Sequence, residues 1–177
     1  KIGWVVGFVD GEGCFSLGVV KQPSKKEEHR VRKGYKTGYQ VFCEFSVTQG
    51  ESSLESLQML KEFFGVGALY KNIRYDNHKE NLYRYVVRRQ ADLVHVIIPF
   101  FQKYQLQTLK RQNFELFVKG MEEIEKKNHL TTDGLIRIVQ MIERMNHRRD
   151  KSEIIRILRN QTSDKQKALF EDRVRAA

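Results

Sequence analysis

The chain changes its hydrophobic period at one point, and that switch limits the folds open to it. Over residues 2–9 the apolar positions Ile2, Val5, Val6 and Val9 recur at helical spacing, and Asp10-Gly11-Glu12-Gly13 then breaks the pattern. From Cys14 the period is two: Phe15, Leu17 and Val19 share one face, with Ser16, Gly18, Val20 and Gln22 on the other. Tyr39 to Thr48 alternates in the same way, setting Tyr39, Val41, Cys43, Phe45 and Val47 against Gln40, Phe42, Glu44, Ser46 and Thr48. A helix followed by two half-buried strands is expected. The charged stretch from Pro23 to Thr37 between them reads as a loop or an extended hairpin tip.

The same order then returns. Leu54, Leu57, Leu60, Phe63 and Phe64 mark an amphipathic helix over residues 53–64, closed by Gly65. Gly67 opens a strand to Tyr75, Asp76-Asn77-His78 supplies a turn, and Asn81 to Arg89 forms the return strand. A helical region from Ala91 is interrupted at Pro99 and resumes over residues 108–124; residues 134–145 and 152–158 are helical with polar joins. Helix, two strands, helix, two strands, helices is the order of an α+β domain, with antiparallel hairpins in one sheet that helices cover on a single face. At 177 residues and 40% hydrophobic composition the chain accommodates one well-cored domain, assigned to residues 1–160, with 161–177 as a charged tail.

The open sheet face and the charge balance point to a polyanion. The formal charge is +10. Residues 21–37 carry seven Lys or Arg against two Glu, and residues 70–89 carry six against one Asp and one Glu, so two short stretches hold nearly all of the surplus. Hairpin side chains expected to point away from the core include Gln22, Gln40, Glu44, Ser46, Tyr70, Asn72, Arg74 and Arg84. These types hydrogen-bond to base edges, and a two-stranded ribbon fits a major groove. Lys25, Arg30, Arg32, Lys36, Lys71 and Asn81 complete the expected DNA-binding set. Double-stranded DNA leads an acidic membrane surface as partner. No apolar run approaches the ~20 residues of a membrane span and no signal peptide is visible, so the reading is a soluble, intracellular protein without membrane association.

Cys14 and Cys43 sit inside apolar alternations rather than a Cys-x-x-Cys spacing and read as free thiols. The histidines are scattered without ligand spacing, and there is no Gly-rich phosphate loop. The chemistry lies instead at the change of period. Gly3, Gly7 and Gly11 recur every fourth residue and leave one side of the first helix bare, open to another backbone. Glu12 faces the negative end of the helix macrodipole, an unfavourable place unless a cation sits beside it. A carboxylate next to a backbone carbonyl suits a hard cation, and magnesium, which keeps several waters, needs one or two such ligands from each chain.

"GFVDGEG" leading into a strand, "FSVTQ" ending at Gln49, and "GVGALY" leading into a second hairpin resemble the LAGLIDADG homing endonucleases over residues 2 to about 160. One such motif is present, so the resemblance is to the single-motif, homodimeric members. It implies that the motif helices of two subunits pack through Gly3, Trp4, Gly7 and Phe8, each delivering one Glu12 to a shared centre. It assigns Glu12 and the Gly11 carbonyl to Mg2+, with Mn2+ or Ca2+ able to substitute for binding. Asp10 is assigned to holding the loop and helix end together, Gln49 to organising water, and Lys110 to the neighbourhood of the scissile phosphate. The register leaves Lys103 and Arg111 as alternatives to Lys110, and Ser53 departs from members that carry Arg there. Such enzymes cut both strands of a long pseudo-palindromic duplex by metal-dependent hydrolysis and leave 3′ overhangs. The resemblance also covers intron RNA maturases, and a non-cleaving DNA-binding regulator is a further alternative. The compartment follows the host: organelle matrix (mitochondrion or chloroplast) or prokaryotic cytoplasm.

Overall fold

The computed structural model describes residues 1–22, 25–27, 30–32, 34–73, 80–145 and 151–160. Helix α1 (Ile2–Glu12) passes directly into strand β1 (Gly13–Lys21), so the helix continues through Asp10-Gly11-Glu12, where the sequence predicts a break. The last turn survives its glycine because its carbonyls find donors. The Gly13 N–H donates to the Val9 carbonyl, and Lys110 Nζ reaches the Gly11 carbonyl at 2.8 Å from far along the chain.

The charged stretch after β1 takes the hairpin alternative: β2 (Lys25–Glu27) pairs antiparallel with β3 (Arg30–Arg32) as a separate two-stranded sheet. Strand β4 (Tyr39–Gly50) is followed by helix α2 (Leu54–Phe64), which ends on Gly65 at φ 66° with its N–H on the Lys61 carbonyl. That left-handed stop is the one glycine accepts most readily. Strands β5 (Ala68–Asn72) and β6 (Leu82–Val87) pair antiparallel with Tyr70 opposite Arg84, and β6 pairs antiparallel with β4 with Phe45 opposite Val87. The resulting sheet has the order β1-β4-β6-β5. The predicted turn at residues 76–78 and the top of its first strand, Arg74 included, lie outside the described residues.

Helix α3 (Gln90–Asp92), a π-helical turn (Leu93–Ile97) and α4 (Ile98–Lys103) follow one another without a gap, so Pro99 does not interrupt the helix as expected. Proline lacks an N–H, and its ring crowds the carbonyl four residues back. Here the wider turn just ahead, in which the Ile98 N–H bonds the Leu93 carbonyl, opens the ladder where the ring must fit. Helices α5 (Lys110–Glu125) and α6 (Thr132–Arg144) come next, the latter capped by Thr131 Oγ1, which accepts the Gly134 N–H at 3.1 Å; residues 152–160 form α7.

The chain divides into two compact units, Lys1–Leu17 with Cys43–Val118, and Gly18–Phe42 with Lys119–Ala177. The first is cored by aromatic rings: Phe15 contacts Phe45, Phe101, Phe114 and Phe117 at centroid distances of 5.0, 5.5, 5.0 and 5.6 Å. Val5 and Val9 of α1 are fully buried, which fixes the inward face of that helix. The second unit packs Tyr39, Leu135 and Leu158 with Val19, Val41, Ile136 and Ile154. In it, a Cβ at Gly18 would lie 2.1 Å from the Phe42 ring, so the ring needs a glycine beneath it.

Candidate active site

The end of α1 is held by residues that follow it by almost a hundred positions. Asp10 Oδ2 accepts the Gln107 N–H at 3.0 Å and the Thr108 N–H at 3.2 Å, while the Thr108 hydroxyl donates to Asp10 Oδ1 at 2.7 Å. The same hydroxyl oxygen accepts the Lys110 N–H at 3.2 Å, a cap-like bond at the start of α5. Lys110 then turns its ammonium back onto the Gly11 carbonyl at 2.8 Å. Asp10, Thr108, Lys110 and Gly11 thus form a closed ring of contacts.

Burial alone would raise the Asp10 pKa, but the Thr108 hydroxyl, the Gln107 and Thr108 N–H groups and the Lys110 charge together hold it below the ordinary aspartate value. Burial lowers the Lys110 pKa, opposed by the charges of Cys14, Asp10 and Glu12. Glu12 itself is exposed and makes no hydrogen bond among the described residues. It sits at the negative end of α1, and α1 has no basic residue in its last turn. The cation that the helix end requires comes from α5.

The structure separates the three basic residues that the sequence leaves open. Lys110 meets Gly11, whereas Lys103 lies over the Tyr104 ring at 5.2 Å and Arg111 pairs with Glu115 one helical turn away at 3.1 Å. Gln49 is half-buried at the end of β4, opposite Tyr83 of β6. Ser53 immediately precedes α2 and accepts the Ser56 hydroxyl on its carbonyl at 2.6 Å. Thr108, Gln107 and Arg88 are additions to the expected residues. A Thr two residues before a helix is a start signal in the sequence, but its partner Asp10 is visible only in three dimensions.

On α1, Gly3, Gly7 and Gly11 are exposed, and a Cβ at any of them would meet nothing within 4 Å. Beside them Trp4 and Phe8 stack at 5.1 Å, with Trp4 39% and Ile2 41% exposed. Among the described residues nothing covers this apolar, side-chain-poor strip.

The outer sheet face of the first unit carries a network rather than separate readers. Glu44 points away from the core as expected but is buried under its partners; it accepts from Arg84 and, at 2.6 Å, from Arg88 Nε. A buried carboxylate needs such partners, and two arginines from β6 and its end supply them. Ser46 is also buried and accepts Arg84 at 3.2 Å, and the Arg88 guanidinium lies 5.7 Å from the Tyr70 ring centre. Tyr70 and Asn72 are exposed.

Two residues of the expected DNA set are placed differently. Lys71 pairs with Tyr83 in register, on the opposite face from Tyr70 and Arg84, and bonds Glu51 at 3.4 Å. Asn81 Nδ2 donates to the same Glu51 at 3.0 Å, so both tie the loop end of the β5–β6 hairpin to the β4–α2 junction. In the second unit Lys36 is exposed, and Gln22 and Gln40 are half-exposed. Lys25, Arg30 and Arg32 lie on β2 and β3, and the site contains no described position for Arg74.

Comparisons with known proteins give the family. Residues 5–121 match the LAGLIDADG endonuclease family, and the chain belongs to it. A protein of Podospora anserina described as an uncharacterized 50.9 kDa protein in ND4 intron 1 is 32% identical over 72% of this chain and 25% of its own length. A Schizosaccharomyces pombe protein, Probable intron-encoded endonuclease Cox1-I1b, is 30% identical over 71% of this chain and 28% of its own. The chain thus spans roughly a quarter of the length of these relatives. Among solved structures, the homing endonuclease I-TnaI superposes with a TM-score of 0.72 at 34% identity, covering 90% of this chain and 97% of that one. I-SmaMI bound to an uncleaved DNA target with calcium ions superposes at 0.69 and 33%, covering 86% and 47%. The four-stranded antiparallel sheet with helices is the α+β fold of these endonucleases.

A divalent ion, which the family implies, fits the end of α1 in part. Among the described residues no three of His, Cys, Asp and Glu gather as a metal-binding group, and Asp10 is committed to residues 107–108. What remains is one unengaged carboxylate, Glu12, and one carbonyl, Gly11. These are oxygen donors suited to a hard cation, and two such ends together would complete a ligand set.

Proposed function

We propose that the protein is a site-specific DNA endonuclease whose centre forms when the bare faces of two α1 helices pack together and bring two Glu12 carboxylates side by side. The observation that carries this reading is the contrast between neighbouring acids: Asp10 is fully engaged, whereas Glu12 is exposed and without a hydrogen bond on a helix whose glycines face open space. A second copy of this chain is the partner that supplies the other helix. Gly3, Trp4, Gly7 and Phe8 form the contact.

Glu12 and the Gly11 carbonyl would hold Mg2+, which when bound would supply charge to polarise a scissile phosphate and lower the pKa of water. Lys110, on the neighbouring helix, supplies positive charge where the cleaved phosphate becomes more negative, and Gln49 orients water. Asp10 and Thr108 act through position, by keeping the α5 start against the α1 end. On the outer sheet face, Arg84, Arg88, Tyr70 and Asn72 read bases in the major groove, and Glu44 and Ser46 fix the arginines rather than reading bases themselves. Gln22, Lys36 and Gln40 with the basic hairpin of β2 and β3 add contacts. Two identical halves would make paired cuts across a long pseudo-palindromic duplex, and the family resemblance implies that these leave 3′ overhangs. The intron origin in the relatives' names supports an intron-encoded protein acting where its intron resides, an organelle matrix or a prokaryotic cytoplasm. No helix among the described residues is long and apolar enough to cross a membrane.

The test incubates wild type and Glu12→Gln with Mg2+ and a pool of partly palindromic random duplexes, and sequences every new end. Staggered pairs of cuts at one consensus are expected for wild type and none for the variant, with DNA affinity retained in both. Binding of DNA or intron RNA by wild type without new ends would replace this reading by the regulator or the maturase.

A further inference from the structure

The Gly11 carbonyl, one of the two groups proposed to hold a metal at this site, already has a cation on it. Lys110 Nζ lies 2.8 Å away, and the backbone that carries it is anchored. Its backbone N–H is bonded to the Thr108 hydroxyl at 3.2 Å, and that hydroxyl is bonded to Asp10 at 2.7 Å. The side chain is half-buried and lies within the field of Glu12 and Asp10. Lys103 and Arg111 are engaged elsewhere, on Tyr104 and Glu115, so neither stands in for it. A carbonyl has lone pairs for two partners, but an ammonium and a dication side by side on one oxygen repel at short range.

We propose that the Lys110 side chain is a built-in cation that occupies the Gly11 carbonyl and competes with a divalent ion there, so that the DNA-free protein binds metal weakly. The inference rests on the reading of Glu12 and Gly11 as metal ligands. It gives Lys110 a role before cleavage: it satisfies the α1 end while no metal is present. It also makes metal occupancy depend on what draws the ammonium away, and a DNA phosphate is the group of matching charge.

The test is equilibrium Mn2+ binding by the full chain without DNA, followed by the loss of the free-ion paramagnetic resonance signal. Lys110→Met should tighten Mn2+ binding by about tenfold. Lys110→Arg, which keeps the charge, should stay near wild type, and Glu12→Gln should lose binding. Lys110→Met equal to or weaker than wild type, with Glu12→Gln still defective, would overturn the competition and leave the metal site standing. Glu12→Gln binding as tightly as wild type would sink the metal-ligand reading and the inference with it. If Lys110→Met does not fold, the wild-type protein decides. Saturating Ca2+ should speed solvent exchange of the Lys110 ammonium protons in nitrogen-15 NMR, and unchanged exchange would refute displacement.

Discussion

At the scale of single residues, position along the chain says which acid is available and three-dimensional contacts say which is used. Asp10 and Glu12 look alike in sequence, yet only Asp10 meets Gln107 and Thr108. Asp10→Asn should cost about 1 kcal/mol after allowance for solvent screening, measured by urea unfolding. Because the folded-state pKa of Asp10 is depressed, its contribution is fully present above the ordinary aspartate value. That contribution disappears as pH falls through the lower folded value. Wild type should therefore lose stability more steeply than Asp10→Asn on acidification below about pH 4, and parallel curves would contradict the bonding described. The motif made Asp10, Gly11 and Glu12 legible from sequence alone. The fold separates Lys110, which reaches Gly11 from the start of α5, from Lys103 at the end of α4 and from Arg111, which pairs with Glu115, a distinction that basic residues seven and one positions apart do not carry in sequence. Alternation in β4 placed Glu44 on the open face correctly but carried no information about Arg84 and Arg88, which belong to another strand and its end.

At the scale of elements, the two periods and the glycine stops were enough to order the helices and strands. Two junctions escaped the pattern because their stability comes from distant or unusual backbone partners. α1 outlasts Gly11 through a donor on α5, and the helix around Pro99 outlasts proline through a π turn. The contact between Gly18 of β1 and Phe42 of β4 offers a test of local packing. Gly18→Ala should destabilise by about 1–3 kcal/mol through overpacking. In a Phe42→Ala background the same change should be close to neutral, as a double-mutant cycle in denaturant would show. Additive costs would mean that the ring yields without strain.

At the scale of the whole molecule, the bare strip on α1 and the basic surplus make separable predictions. A Cβ at Gly7 meets nothing within 4 Å among the described residues, and leucine favours helix by about 1 kcal/mol over glycine, so at protein concentrations too low for self-association the thermal midpoint of Gly7→Leu should equal or exceed that of wild type. Sedimentation should nevertheless show the loss of self-association, along with cleavage. Retained association would place the interface elsewhere. With a formal charge of +10, DNA affinity should fall by roughly 10³-fold between about 50 and 200 mM salt if six or more phosphates are contacted. A nearly flat salt response would exclude the sheet and its basic hairpins as the DNA surface. The ring joining Asp10 to Thr108 spans 98 positions. A nascent chain cannot close it until the start of α5 has left the ribosome, so the end of α1 is among the last parts of its unit to acquire native geometry. With the proposed centre at that end, synthesis itself delays the moment at which the polypeptide could cut DNA.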